Sequence, residues 1–197
     1  MQLANTKEPE MVSGFINGLN VAGLSAQLWG QIGTRPIVRS VPPLGEAQGD
    51  GAFVITNEGS TALVILELEA SNPGNERNVL KWAIAHASAG TLSVQPGRDG
   101  QPMKFDRIEI VLCFGRESQG EKVSDWSDSD FGKTVAHCIF LTDLLNEKSE
   151  SDHLKFSIIS SMDRITDWSH FGRSAGQQFA ERWMGNDRIS SNGGSTL

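Results

Sequence analysis

Leu63-Val64-Ile65-Leu66-Glu67-Leu68-Glu69 decides how this chain is read. At its far end Leu66 and Leu68 alternate with Glu67 and Glu69, a period of two that puts apolar and charged side chains on opposite faces of a β-strand. The pattern recurs outward in both directions. Upstream, Phe53-Val54-Ile55-Thr56 is closed by the turn signal Asn57-Glu58-Gly59. Downstream, Ile108, Ile110, Leu112 and Phe114 alternate with Glu109, Val111 and Cys113, and Leu154, Phe156 and Ile158 alternate with Lys155 and Ser157. A shorter strand, Thr91-Leu92-Ser93-Val94, is stopped by Pro96-Gly97-Arg98-Asp99-Gly100. Strands with one apolar and one wet face belong to antiparallel sheets, so the expected fold is mainly β, an antiparallel β-sandwich.

Two helices are expected within that frame. Val79, Trp82, Ala83, His86 and Ala87 follow the spacing of one buried helical stripe, capped by Asn72 or Asn75 and ended by Gly90. The second is a short C-terminal helix over 174–184, with Ser174 and Gln177 as a capping box and Gly185 as its stop. Residues 11–33 are apolar but interrupted by Gly14, Gly18, Gly23, Gly30 and Gly33, each interior glycine costing a helix about 1 kcal/mol against alanine. They read as an extended arm, or as a short helix that packs on something else, followed by a stiff extended linker at Arg35-Pro36 and Val41-Pro42-Pro43-Leu44-Gly45. The expected division is an N-terminal arm and Pro-rich linker over 1–45, a sandwich core over 46–187 and a flexible tail over 188–197.

Charge and composition narrow the partners. Lys and Arg number 17 against 24 Asp and Glu, a net −7 with no basic run, so little direct nucleic-acid binding is expected. No apolar run is long enough to cross a membrane, and no membrane partner is expected. The N-terminus lacks the basic start and apolar stretch of a secretory signal. Cys113 and Cys138 therefore read as buried free thiols in a reducing compartment.

No motif carries catalysis on this reading. Gly172-Arg173-Ser174-Ala175-Gly176 is a formal G-x-S-x-G, but no histidine follows His170, and the helix cap accounts for the serine. Gly115-Arg116-Glu117-Ser118-Gln119-Gly120-Glu121-Lys122 resembles a phosphate loop, with Glu121 where the lysine is needed. His86, His137, His153 and His170 are scattered, and His137 and Cys138 would point to opposite faces of a strand. The expectation is no catalytic residue, no cofactor and no metal. Two loops share Asp-Trp-Ser and end in Phe-Gly, Asp125 to Gly132 and Asp167 to Gly172. Their Trp126 and Trp168 either plug the sandwich or stack on a ligand.

Asn78-Val79-Leu80-Lys81-Trp82-Ala83-Ile84-Ala85-His86-Ala87-Ser88-Ala89-Gly90-Thr91-Leu92-Ser93-Val94 resembles a stretch in the small capsid proteins of plant picorna-like viruses. There, a helix runs into strand D of a jelly roll. Leu80, Lys81, Gly90, Leu92 and Val94 match in kind, while the aromatic at Trp82 is displaced toward the basic residue. The resemblance implies a sandwich of jelly-roll type and a structural shell subunit, found in the virion and host cytoplasm. Its partners would be identical or related capsid subunits. The assembly arm would present Phe15, Ile16, Leu19, Leu24, Leu28 and Trp29. The alternative is a carbohydrate- or protein-binding sandwich that uses Trp126 and Trp168.

Overall fold

The expected strands form, but as one mixed sheet rather than a sandwich. The computed structural model describes residues 7–30, 37–39, 46–57, 60–69, 79–84, 93–96, 101, 103–105, 107–117, 128–148 and 154–192. In chain order the elements are helix α1 (Lys7–Val21) and strands β1 (Ser25–Leu28), β2 (Ile37–Arg39), β3 (Glu46–Gln48), β4 (Gly51–Asn57) and β5 (Ser60–Glu69). The helical residues 79–84, here α2, follow. Then come β6 (Ser93–Gln95), β7 (Met103–Lys104), β8 (Ile108–Glu117), α3 (Asp128–Lys148), β9 (Leu154–Ile165) and α4 (Trp168–Asn192).

The principal sheet has five strands in the order β1-β4-β5-β8-β9. β1, β4 and β5 pair antiparallel, whereas β5 pairs with β8 and β8 with β9 in parallel. A smaller antiparallel sheet, β3-β2-β6-β7, lies apart from it in pairing. The antiparallel jelly roll is thereby overturned, and the physical reason lies in the central strands. Leu63, Val64, Ile65 and Leu66 are all fully buried, as are Ile110 to Phe114. A strand apolar on both sides needs cover on both faces, which crossover helices supply. Residues 63 and 65 of β5 and 108, 110, 112 and 114 of β8 pack with Val79 and Trp82 of α2 and with Phe131, Val135 and Cys138 of α3. Val64, Leu66, Val111, Cys113, Phe53 and Ile55 pack on the other face with α1 and α4.

The segment around His137 and Cys138, expected from the sequence as strand, is helix. Its buried positions Phe131, Thr134, Val135, Cys138 and Thr142 keep helical spacing, and His137 lies exposed beside buried Cys138. Both cysteines are free and buried, as expected.

The N-terminal arm is not an arm among the described residues. α1 contributes Met11, Phe15 and Leu19 to the domain's own interior, and Leu24 follows them. Ile16 and Leu28 pack partly buried against the same cluster. Trp29 packs on the opposite core, edge-on to Phe105 with ring centroids 5.4 Å apart. Gly23 adopts φ 93° and closes α1: its own N–H donates to Asn20 O, and that of Leu24 to Leu19 O at 3.0 Å. This paired bonding is the Schellman stop that glycine permits.

The remaining glycines of α1 serve the helix crossing. A Cβ on Gly14 or Gly18 would strike the backbone of Ser169 or Arg173, and one on Gly172 or Gly176 would strike Met11 or Phe15. Two Gly-x-x-x-Gly stretches thus lie backbone to backbone. The supposed hydrolase motif is the α4 half of this crossing.

α4 also corrects the capping assignment. It starts at Trp168, so Ser174 lies exposed in its interior. Asp167 is the cap: its Oδ1 accepts from His170 N–H at 2.8 Å. Gly185 is not a stop, because the helix runs on to Asn192, beyond the expected start of the tail.

Candidate functional site

Glu67 and Glu69 sit on the covered face of β5, the one shared with Leu63 and Ile65, and both are buried rather than wet. The register pairs Gly51 with Leu66, which places Asp50 opposite Glu67 one step further on. Directly opposed residues of an antiparallel pair share a face with Cβ atoms roughly 5 Å apart. Asp50 N–H donates to Leu66 O at 2.8 Å, and its Oδ2 accepts from Leu68 N–H at 2.8 Å. Those bonds hold the Asp50 carboxylate at the carboxyl end of β5, where the chain leaves toward α2.

α2 brings two more groups to the same point. Lys81 Nζ stands 2.6 Å from Glu67 Oε1 and donates to Gln48 O at 3.0 Å. Trp82 Nε1–H donates to Glu67 Oε1 at 2.9 Å. The Lys81 side chain is 30% exposed against 6% for that of Glu67, so the cluster opens to solvent along the lysine. Lys81 Nζ also lies 5.2 Å from the Trp82 ring centroid, within cation–π range.

Burial pushes the Glu67 carboxyl up to about 8; Lys81 pulls against this, while Asp50 and Glu69 add to it. A buried carboxyl beside Asp50, Glu69 and an ammonium, at the carboxyl end of a central strand, is a demanding environment that packing alone does not require. Among the described residues no three His, Cys, Asp or Glu side chains make a ready-made metal cage. A cation here would rest on two carboxylates, with water and substrate oxygens completing its shell, a common arrangement for magnesium.

The residues singled out in the sequence do not converge. Trp168 is buried edge-on to Phe171 with centroids 6.0 Å apart, so it fills the interior of the domain; Trp126 lies outside the described residues. His86, His153 and most of the phosphate-loop look-alike also lie outside them. Burial pushes the Cys113 thiol far up, which makes it a poor nucleophile. Ser174 and His170 line a cavity of about 350 Å³ with Asp163, Arg164 and Gln178. The Asp167 carboxylate there caps the helix backbone, and Ser174 occupies helix rather than a strand-to-helix turn. That cavity lacks the geometry of an activated serine.

Asp50, Glu67, Glu69 and Lys81 escaped the sequence reading as a site. The one signal available was Glu-x-Glu ending a strand whose preceding residues are uniformly apolar, since such a strand has no wet face to offer. Family models, curated proteins and solved structures give no match to this chain.

Proposed function

We propose that the protein is a divalent-cation-dependent phosphodiesterase, with the nucleic-acid backbone as its substrate class. The observation that carries this is buried Glu67, opposite Asp50 and paired with the part-exposed Lys81. Asp50 would hold the cation together with Glu67 once the cation has displaced the Glu67 proton, and a cation so held would lower the pKa of a bound water and polarise a phosphoryl oxygen. The water oxygen bonds to phosphorus as the ester P–O bond breaks; water's proton passes to solvent and the leaving oxygen takes one up. Lys81 offsets the charge that gathers on the phosphoryl oxygens. One ammonium and one cation suit a diester, which carries a single negative charge where a monoester carries nearly two. With a net charge of −7 the chain would hold its polymer loosely, and binding would depend on the cation.

The shell-subunit reading leaned on a jelly roll with a free apolar arm, and α1 is folded into the domain. The binding-module reading loses Trp168 to the interior.

The test is hydrolysis of bis(p-nitrophenyl) phosphate and of single-stranded and duplex DNA and RNA, with Mg²⁺ or Mn²⁺ against EDTA. Asp50→Asn and Glu67→Gln should each cost about 100-fold or more, on the scale of removing one transition-state electrostatic partner. Ser174→Ala should cost nothing. Absence of cation-dependent cleavage of every substrate would overturn the proposal.

A further inference from the structure

We propose that the outer face of α3 is a self-association surface, on which a second copy of this chain packs its own α3 antiparallel about a twofold axis at Phe140. Phe140 is 69% exposed, the most exposed large apolar side chain among the described residues, and Ile139 beside it is 41% exposed. α3 already buries Phe131, Val135, Cys138 and Thr142 against the sheet, and Phe140 lies on the side turned away from them. Lys133, His137, Phe140 and Glu147 are exposed and Leu144 is half-buried, and these five step along the helix by four and three residues. That alternation keeps a single seam along a helix, the one through which two helices pack side by side. Ala136 is exposed on the same side, small enough to let a partner helix come close.

The charges on this seam select its occupant. Lys133 stands seven residues before Phe140 and Glu147 seven after it; His137 stands three before and Asp143 three after. A twofold axis at Phe140 that reverses the helix sets Lys133 against the partner's Glu147 and His137 against the partner's Asp143, each pair occurring twice. Parallel packing would instead set like charges together, at a cost in free energy. The seam is thus complementary to its own reverse, as an isologous interface requires. Within one chain Lys133 Nζ lies 3.8 Å from Asp130 Oδ1 in an exposed pair, a loose contact that leaves the ammonium able to reach across. The sheet offers a poorer route to association, because the outer edge of β9 is blunted. Asn146 Oδ1 accepts from Phe156 N–H and its Nδ2 donates to Phe156 O, both at 2.9 Å, and Arg182 Nη1 donates to Ile158 O at 2.8 Å. The seam from Lys133 to Glu147 is about 21 Å long, so the contact is at the small end of specific interfaces and the dimer a weak one.

The experiment is sedimentation equilibrium of the full chain over about 5–500 µM, the range in which a contact this small dissociates. The unaltered protein should pass from monomer to dimer across it. Phe140→Asp should weaken dimerisation about 30-fold or more, the scale of a central apolar anchor, and leave the melting temperature of the dilute protein unchanged because the side chain is exposed in the monomer. Lys133→Glu and Glu147→Lys should each weaken it about 10-fold, and the double variant, which exchanges both signs, should return to within about threefold of the unaltered protein. That rescue separates antiparallel pairing of α3 from apolar stickiness, which charge exchange does not restore. A protein that stays monomeric throughout would overturn the proposal and leave the face to a partner of another kind. A dimer that survives Phe140→Asp, or a double variant no tighter than the single ones, would overturn it as well.

Discussion

Replacing Glu67 by glutamine should flatten the dependence of stability on pH. The Glu67 carboxyl ionises near 8 in the fold and near its ordinary 4.5 in the unfolded chain, chiefly because burial disfavours its charge. Between those values the folded state holds a proton that the unfolded state has released, so this residue's contribution is fully present below about 4.5 and is lost as pH rises through about 8. Going from pH 5.5 to 8.5 removes about 3 kcal/mol of stability through Glu67 alone, with each pKa unit worth about 1.4 kcal/mol. Glutamine keeps the shape and an acceptor for the Trp82 N–H, but it cannot ionise. Titrating groups away from Glu67 are common to both proteins and cancel in the comparison, while Asp50, Glu69 and Lys81, which act on Glu67, report the same removal of its charge. Urea denaturation at the two pH values, without divalent cation, reads the difference. Glu67→Gln should gain about 3 kcal/mol relative to the unaltered protein on moving from pH 5.5 to 8.5. Parallel pH profiles for the two proteins would refute the account of Glu67 as a carboxyl held out of water.

Other expectations concern the fold that carries the site. Gly18→Val drives a side chain into the α4 backbone and should cost about 2 kcal/mol or more, whereas Gly185→Ala, with open space around it, should gain up to about 1 kcal/mol; equilibrium unfolding compares them. Asp167→Ala should lose about 1 kcal/mol as the α4 cap goes, Ser174→Ala should stay within about 0.5, and a fluorophosphonate should not label Ser174. Phe15→Ala should cost about 3–5 kcal/mol, and deleting residues 1–45 should abolish the cooperative melt. A folded, stable deletion product would return α1 to the status of an appendage.

Much of the strand content was legible because its signal is local. Alternation in β5, β8 and β9, and the turn after β4, can be read over a few residues, and those segments are strands. The capping of α4 was misread by one turn and more, because Ser174-x-x-Gln177 imitates a cap that Asp167 supplies. α3 was missed because its buried stripe, Phe131 to Thr142, is broken by polar positions and includes two threonines. The glycines of α1 counted against a self-sufficient helix for a sound local reason, their conformational cost. That cost is offset by the close approach of α4, whose glycines lie more than 150 residues away in the chain.

The sequence by itself determined the longer strands and the free buried thiols, since these depend on composition and on neighbours within a few residues. Only the tertiary structure decided how strands pair and which face is covered. β5 has the same sequence whether its far side meets water or α2, so Glu67 and Glu69 read as a solvated edge until the helix was set over them. The site joins residues 50, 67 and 81, brought together by a hairpin register and the position of α2. No one of them is unusual where it stands in the chain. Their chemistry comes from being placed together where water is scarce, and only long-range packing can impose that.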